Sequence, residues 1–537
     1  MAAQVHHRLH ELLLQASSSS QAALVSSALL AMILPLLVLL LVRRRFTAAP
    51  TPATKAREQL LSKLPSPPGR LPVIGHLHLV GALPHVSLRD LAAKHGDGSG
   101  LMLLRLGAVP TLVVSSPGAA RAVLRTHDHV FASRAYSPVT DILFYGSTDV
   151  AFAPYGEHWR QVRKIATTHL LTNKKVQSYR HARHQEVKLV MAKISEAAAT
   201  CTAVDLSDLL NSFTNDIICH AVSGKFFKEE GRNKLFRELV ETNSSLIGGF
   251  NIEDYFPILV KLDMVKRMVC AKAQKVNKMW DDLLEKLIDD HKSKPTMQDN
   301  DEESDFIDVL LSVQQEYNLT RDHIKAQLVV MFEAGTDTSF IVLEYAMVEL
   351  MQNPNLMTKL QDEVRTSIPK GKEMVTEDDL NGMTYLKAVI KETLRLHAPA
   401  PLLVPHLSIA DCDIEGYKIP SGTRAIINAW ALSRDPSYWE RANEFMPERF
   451  MEGGSAADMD YKGNNFLYLP FGSGRRICPG INFAISIIEI MLANLVYHFN
   501  WELPPGVPER GIDLTESFGV TVHRTEKLLL VPVLPQG

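Results

Sequence analysis

Phe471-Gly-Ser-Gly-Arg-Arg-Ile-Cys-Pro-Gly480 places one cysteine, Cys478, in a glycine-rich loop. A thiolate offered to haem iron needs N–H donors aimed at its sulfur to set the metal's potential, and Gly472, Gly474 and Gly480 permit a backbone tight enough to point them there. Arg476 lies where a planar guanidinium can pair with a carboxylate such as a porphyrin propionate. A lone cysteine beside a turn is more commonly a buried structural residue. Ten residues fitting Phe-x-x-Gly-x-Arg-x-Cys-x-Gly make chance the weaker account.

Upstream, Thr320 to Gln352 predicts one long helix, with Thr320 as N-cap, Asp322 in the first turn and Asn353-Pro354 as the stop. Such a helix spans about 50 Å. Ala334-Gly-Thr-Asp-Thr-Ser339 interrupts a run otherwise as apolar as Leu328-Val-Val-Met-Phe332. Gly335 opens the helix surface to a small molecule, while Thr338 can bond the carbonyl at 334 or release it to a guest. Asp337 supplies an adjacent acid. Dioxygen reduced on iron needs protons, and an alcohol beside a carboxylate meets that need. Alone, these residues read as a Thr bonded within its helix and an Asp on a wet face. Beside Cys478 they read as a proton-delivery pair, Asp337 and Thr338, with Ala334 and Gly335 forming the groove.

The two stretches together resemble the cysteine-ligand and Ala/Gly-Gly-x-Asp/Glu-Thr signatures of the haem-thiolate monooxygenases, the cytochrome P450 family. The resemblance implies a mainly α fold with a small β-rich subdomain, preceded by one N-terminal transmembrane helix. It also implies haem b with Cys478 as axial iron ligand, and electrons from NADPH through an NADPH-cytochrome P450 reductase. Lys391-Glu-Thr-Leu-Arg395 puts Glu392 and Arg395 on one helical face, a pair worth only about 0.2–0.5 kcal/mol if exposed. Phe445-Met-Pro-Glu-Arg-Phe450 follows at the family's distance, so by resemblance Arg449 closes a buried, structural Glu392–Arg395–Arg449 network. Trp159-Arg-Gln-Val-Arg163 resembles the segment whose Trp and Arg both reach haem propionates, although by itself it reads as a basic helix with a half-buried Trp. At Val404-Pro-His406 related plant enzymes often carry arginine; His406 is expected to donate to a propionate there, with a charge that depends on pH.

Composition bounds the rest. The 537 residues, 46% hydrophobic and 22% charged, can bury a large core, and length alone allows about three or four domains. No repeat and no linker divides the chain after residue 76, so 77–537 reads as one catalytic domain. The formal net charge of -3 argues against a nucleic-acid partner. Five widely spaced cysteines suggest neither a disulfide framework nor a zinc site. The chain also lacks a dinucleotide fingerprint and iron–sulfur spacing, so its electrons must come from outside. Arg160, Lys164, Lys174, Lys175 and Arg475 are candidates for a basic face towards an acidic reductase.

Ala22 to Val42 is an uncharged run of 21 residues ending at Arg43-Arg44-Arg45. It is long enough to cross the roughly 30 Å hydrocarbon core once. The basic cluster follows the apolar core rather than preceding it, which favours an anchor over a cleaved signal peptide. The expected organisation is 1–21 as a short luminal segment, 22–42 as the transmembrane anchor, and 43–76 as basic stop and proline-rich hinge. The protein is then single-pass in the endoplasmic reticulum membrane with its catalytic domain cytosolic. On that expectation the sequons at Asn243 and Asn318 carry no sugar.

Matched segments propose a substrate pocket from Ile142, Phe144, Leu402, Val404 and Phe518, a lining suited to a small apolar or aromatic molecule. From Leu64 onwards the chain resembles plant microsomal enzymes of the grass benzoxazinoid pathway, which turn indole stepwise into cyclic hydroxamic acids. The phrases are Ile74-Gly-His-Leu-His-Leu-Val80, Trp280-Asp-Asp-Leu-Leu-Glu-Lys-Leu-Ile-Asp-Asp-His291, Met331-Phe-Glu-Ala-Gly-Thr-Asp337 and Thr515-Glu-Ser-Phe-Gly-Val-Thr521. The resemblance implies monooxygenation of indole, or of indolin-2-one and later intermediates, in the synthesis of the hydroxamic acid DIBOA. Three other readings stay open: hydroxylation of another specialised metabolite, terpenoid or phenolic; a haem-thiolate isomerase or dehydratase; and a non-enzymatic haem sensor.

Overall fold

A helix apolar on every side can only be stable when surrounded, and that is the position of the helix the sequence predicts from Thr320 onward. A computed structural model describes residues 51–224, 232–249, 251–257, 263–293, 304–369, 371–506 and 512–535. The elements that bear on the site are α1 Glu157–Ile165, α2 Leu206–Ser223, α3 Arg232–Gly248, α4 Arg321–Gln352, α5 Thr384–Leu396 and α6 Ile481–His498. The strands are β1 Leu101–Leu106, β2 Val109–Val114, β3 His406–Leu407, β4 Arg424–Ile427, β5 Glu516–Phe518 and β6 Val522–Arg524.

Helix α4 begins at a reciprocal cap. Thr320 Oγ1 accepts from the His323 N–H at 3.1 Å, and His323 Nδ1 accepts from the Thr320 N–H at 3.3 Å, so two otherwise orphaned donors are satisfied. At its far end Pro354 opens the next helix rather than a loop. Helices α2, α3, α5 and α6 pack directly on α4. The rings of Phe236 on α3 and Phe332 on α4 lie 4.7 Å apart, with Trp280 5.7 Å from Phe332, filling the core with aromatic surface.

The main sheet runs β1-β2-β4-β3, with β2 and β4 parallel and the outer pairs antiparallel. Its alternation is buried on both faces. Leu101, Leu103, Leu112, Val114, Ala425 and Ile427 join one apolar cluster, while Met102, Leu104, Val113 and Ile426 join another.

Residues 1–50, and with them the expected luminal segment and anchor, lie outside the described residues. The described part of the expected hinge is no free spacer. Pro52–Leu61 is a helix capped by Thr51, Glu58 pairs with Arg105 of β1, and Leu61 and Leu64 are buried in the sheet-side core. Among the described residues α4 and α6 are long and apolar enough to cross a membrane, but 83% and 56% of their most apolar stretches are buried inside the protein, as befits core helices. Asn243 is fully buried within α3, so no glycan fits there in either topology, and Asn318 alone of the two sequons is exposed.

Candidate active site

The cysteine loop is tied across its own base. The Cys478 N–H donates to the Phe471 carbonyl at 3.0 Å, and Ser473 Oγ donates to the Gly463 carbonyl at 2.6 Å. Gly474 sits at φ +69, and a Cβ there would meet the Leu124 carbonyl oxygen at 2.0 Å, so no side chain is compatible with the loop's close approach. Gly480 turns at an ordinary φ of −89; its contribution is its N–H, 3.4 Å from Cys478 Sγ. Gly480 also caps α6, which puts the sulfur at the positive end of that helix. Burial pushes the Cys478 thiol up, and the Gly480 N–H and the Arg163 charge work against it. A metal cation on the sulfur would complete the deprotonation.

The sulfur opens into a cavity of about 280 Å³ between α4 and the cysteine loop. Arg134, Arg163, Arg476 and His406 stand in its wall, and no acidic side chain does. Arg476 sends Nε to the Ala132 carbonyl and Nη2 to the Ala153 carbonyl, both at 2.6 Å; Arg134 Nη1 donates to the Val404 carbonyl at 2.7 Å. Carbonyl dipoles fix these forks, and the buried Asp149, outside the wall, is the acid whose charge reaches both Arg134 and Arg476. Burial brings Arg134 down to about 9; burial and then the Arg134 charge bring Arg476 down to about 8. Such a cluster fits an anionic guest with two carboxylates. His406 Nδ1 lies 2.8 Å from the Phe131 carbonyl and therefore carries its proton there. Burial, then Arg134, lower this ring to about 3, and its Nδ1–H is already spent on the Phe131 carbonyl, so the structure does not present His406 as the propionate donor that the sequence suggests.

On the opposite wall, Ala334, Gly335 and Thr338 of α4 face the cavity. Thr338 Oγ1 donates to the Ala334 carbonyl at 2.7 Å. At Gly335 a Cβ would fall 2.1 Å from Ile218 Cδ1, so this glycine also lets α2 approach α4. Asp337 is not in the wall. One residue is about 100° of helical turn, and the carboxylate is directed to the far side, where it accepts from Thr521 Oγ1 and from His523 Nε2 at 3.1 Å.

Other expected residues are also displaced. Trp159 Nε1 donates to the Val150 carbonyl at 3.0 Å, and the Arg476 guanidinium lies 4.2 Å over its ring, so Trp159 backs the arginine instead of lining the cavity. Of the five pocket residues, Val404 is in the wall. Phe144 is fully buried in the helical core, stacked on Phe152 at 4.9 Å, and Ile142 packs against that core. Leu402 packs on the sheet; its neighbour Leu403, turned by a φ of +51, faces the cavity. Phe518 stacks on His85 at 6.1 Å. Lys175 is buried and donates to Ser304 Oγ at 3.0 Å, which removes it from any reductase-facing surface. Arg134 was missed because a loop arginine with no acid nearby in sequence carries no local signal.

Outside the cavity, Glu392 is bidentate to Arg395, with both bonds at 2.7 Å, and its Oε1 also accepts from Arg449 Nε at 3.3 Å. Arg395 and Glu392 are fully buried, and Arg395 further donates to the Ser433 and Ala442 carbonyls.

A half-buried cysteine at a helix N-terminus, three guanidinia in a cavity wall that holds no carboxylate, and an interrupted helix across the cavity suit an iron porphyrin. A profile of the cytochrome P450 family matches residues 65–531, and the chain belongs to that family. It is 56% identical over 543 residues to an indole-2-monooxygenase of Zea mays, covering 99% of each chain. It is 56% identical over 491 residues to an indolin-2-one monooxygenase of Zea mays, covering 90% and 91%. A 3-hydroxyindolin-2-one monooxygenase of the same plant is 55% identical over 476 residues, covering 88% and 89%. A zebra fish cytochrome P450 solved with abiraterone shares the fold, at a TM-score of 0.70 and 24% identity, covering 85% of this chain and all of that one. The protein is thus a haem b monooxygenase of mostly helical P450 fold, supplied with NADPH-derived electrons by a reductase and acting on a small substrate.

Proposed function

We propose that the chain hydroxylates indole or a lightly oxidised derivative such as indolin-2-one, early in benzoxazinoid (DIBOA) synthesis. The observation that carries this reading is the 56% identity extending over 99% of both this chain and the indole-2-monooxygenase. Three relatives of nearly equal identity act on successive indole derivatives by name, so identity alone does not choose among them. The cavity wall supports the less oxidised end. Ile218, Val330, Met331, Val342, Leu394 and Leu403 face it, with Thr338 and Ser339 as the hydroxyls on the α4 side. A bicyclic apolar guest leaves few polar groups unmatched there, whereas each added oxygen must find a partner.

The haem, when bound, supplies the reduction and cleavage of dioxygen, with electron donation from its thiolate. Cys478 would hold it, and Arg134, Arg163 and Arg476 would orient its carboxylates. Thr338 and the Ala334 carbonyl hold a proton-carrying water beside the substrate, and Asp337 supplies that proton. One C–H bond becomes C–OH, and the second oxygen atom leaves as water with two electrons and two protons. The apolar wall keeps bulk water away from the reacting carbon.

The anchor at 22–42 tethers the domain to the cytosolic face of the endoplasmic reticulum, and an exposed basic face including Lys174 and Arg475 receives the reductase. Support comes from the uncharged run before Arg43-Arg44-Arg45. Product analysis of microsomes expressing the chain with reductase, offered indole, indolin-2-one and 3-hydroxyindolin-2-one, tests the substrate. A hydroxylated product from indole or indolin-2-one is expected; turnover of none of the three overturns the assignment.

A further inference from the structure

We infer that His523, on the hairpin β5–β6, is the residue through which Asp337 exchanges protons with water: a positioning and relay residue for the oxygen chemistry, resting on the proton-supply reading of Asp337 given above. Asp337 is 4% exposed and has no water-facing surface of its own to speak of, whereas the His523 side chain is 27% exposed. Among the described residues, His523 is the hydrogen-bonded neighbour of Asp337 that reaches solvent.

Donor arithmetic fixes the protons. Thr521 has one hydroxyl proton and gives it to Asp337 Oδ2, so at 2.8 Å from Ser244 Oγ it must act as the acceptor. His523 Nε2, 3.1 Å from both Asp337 Oδ2 and Thr521 Oγ1, then meets two acceptors and carries a proton. A single carboxylate oxygen therefore takes two hydrogen bonds, one of them from a group that can surrender its proton.

The charges around His523 come from every element packed on it. Asp337 and Glu344 stand on α4, Glu241 on α3, and Arg524 beside it on β6; Arg524 is paired with Glu344 at 3.6 Å. Glu333 lies one turn before Asp337 on α4, and the Phe340 ring lies 6.3 Å from the imidazole. Burial pulls the imidazole down, but Asp337, its hydrogen bond and the two glutamates outweigh this and raise it. Such a ring keeps its proton to a higher pH than a free imidazole does.

The step balances without an oxidant or reductant. The Nε2 proton passes to Asp337 Oδ2; the neutral ring rotates and regains a proton from water. A protonated Asp337 is a poorer acceptor for Thr521 and His523, which frees it to turn about its first side-chain torsion towards Ala334 and Thr338. The hairpin thus holds Asp337 outward while charged and releases it once loaded.

The test uses the full-length, haem-loaded chain with reductase in membranes, with variants H523Q, H523F and D337N. Glutamine keeps an N–H donor but does not titrate, so a merely structural clasp survives in H523Q. Histidine-labelled NMR of the carbon monoxide-bound ferrous protein, with H523Q assigning the signal, should show the His523 midpoint falling by about one pH unit or more in D337N. In H523Q we expect unchanged carbon monoxide and substrate-binding spectra, turnover lowered about tenfold, a larger solvent deuterium effect, and loss of the alkaline limb of the pH profile. Wild-type turnover and isotope effect in H523Q would overturn the proposal. So would a His523 titration indifferent to D337N, or failure of both His523 variants to fold. The titration needs no substrate, so it stands or falls separately from the identity of the molecule oxidised.

Discussion

Cys478 and Thr338 face each other across the cavity with separable duties. Cys478→Ala should fold, since the loop is closed by the Cys478 backbone and by Ser473, yet lose the thiolate's absorption signature in the reduced, carbon monoxide-treated protein together with all turnover. Thr338→Ala removes a hydroxyl bonded within its own helix and should cost under about 1 kcal/mol in stability. Its effect belongs to coupling: NADPH consumption should persist while peroxide rises severalfold against product, and tight coupling in this variant removes Thr338 from the role. Glu392→Gln leaves Arg395 and Arg449 buried without their counter-charge and should cost about 3–5 kcal/mol, read as a fall in the midpoint of thermal unfolding.

What the sequence disclosed at this scale followed the range of the signal. The cysteine loop and Glu392–Arg395 are patterns over a few residues, so backbone geometry alone makes them legible. Arg134, Thr521 and His523 reach their partners across long stretches of chain, and no local pattern marks them. Asp337 is the instructive case: it stands next to Thr338 in sequence, but neighbours on a helix diverge by about 100°, so its carboxylate rests against Thr521 and His523 and must turn to serve the Thr338 side. Phe144 and Leu402 failed because alternation and turn geometry, which decide which of two adjacent side chains faces a cavity, are settled by packing.

Among elements, the crossing of α2 and α4 depends on Gly335. Gly335→Ala gains up to about 1 kcal/mol in helix propensity but must displace Ile218 Cδ1, and overpacking of this kind costs about 1–3 kcal/mol. Net destabilisation is expected, and Ile218→Val, which deletes Cδ1 but leaves Cγ1 2.7 Å from the new methyl, should recover only part of the unfolding midpoint in the double variant. The hairpin β5–β6 offers a second check. His523 has a raised pKa, so its pairing with Asp337 stabilises fully below the ordinary imidazole value of about 6.5 and fades as pH rises through the raised one. In H523Q, the fall in stability on that alkaline side should be smaller than in the parent chain.

For the whole molecule, the helical architecture was legible because α4 announces itself by cap, length and stop, whereas the sheet's two buried faces erase the polar alternation that would have revealed it. The boundary at 76 cut through residues that fold with the body. Removing residues 1–50 should leave the thermal midpoint of the haem domain unchanged, while removal through residue 64 strips Leu61 and Leu64 from the core, each worth about 1.5–3 kcal/mol, and should lower it markedly.

Three guanidinia gathered round one cavity, steadied by carbonyls and with no acid in its wall, make the prosthetic group a tenant whose departure has a cost beyond lost catalysis. By mass action, whatever binds the native chain alone holds it native. Polypeptide made faster than tetrapyrrole is supplied should therefore dwell open, exposed to chaperones and proteases. In the cell, iron supply would then set how much of this enzyme survives, before any substrate is met.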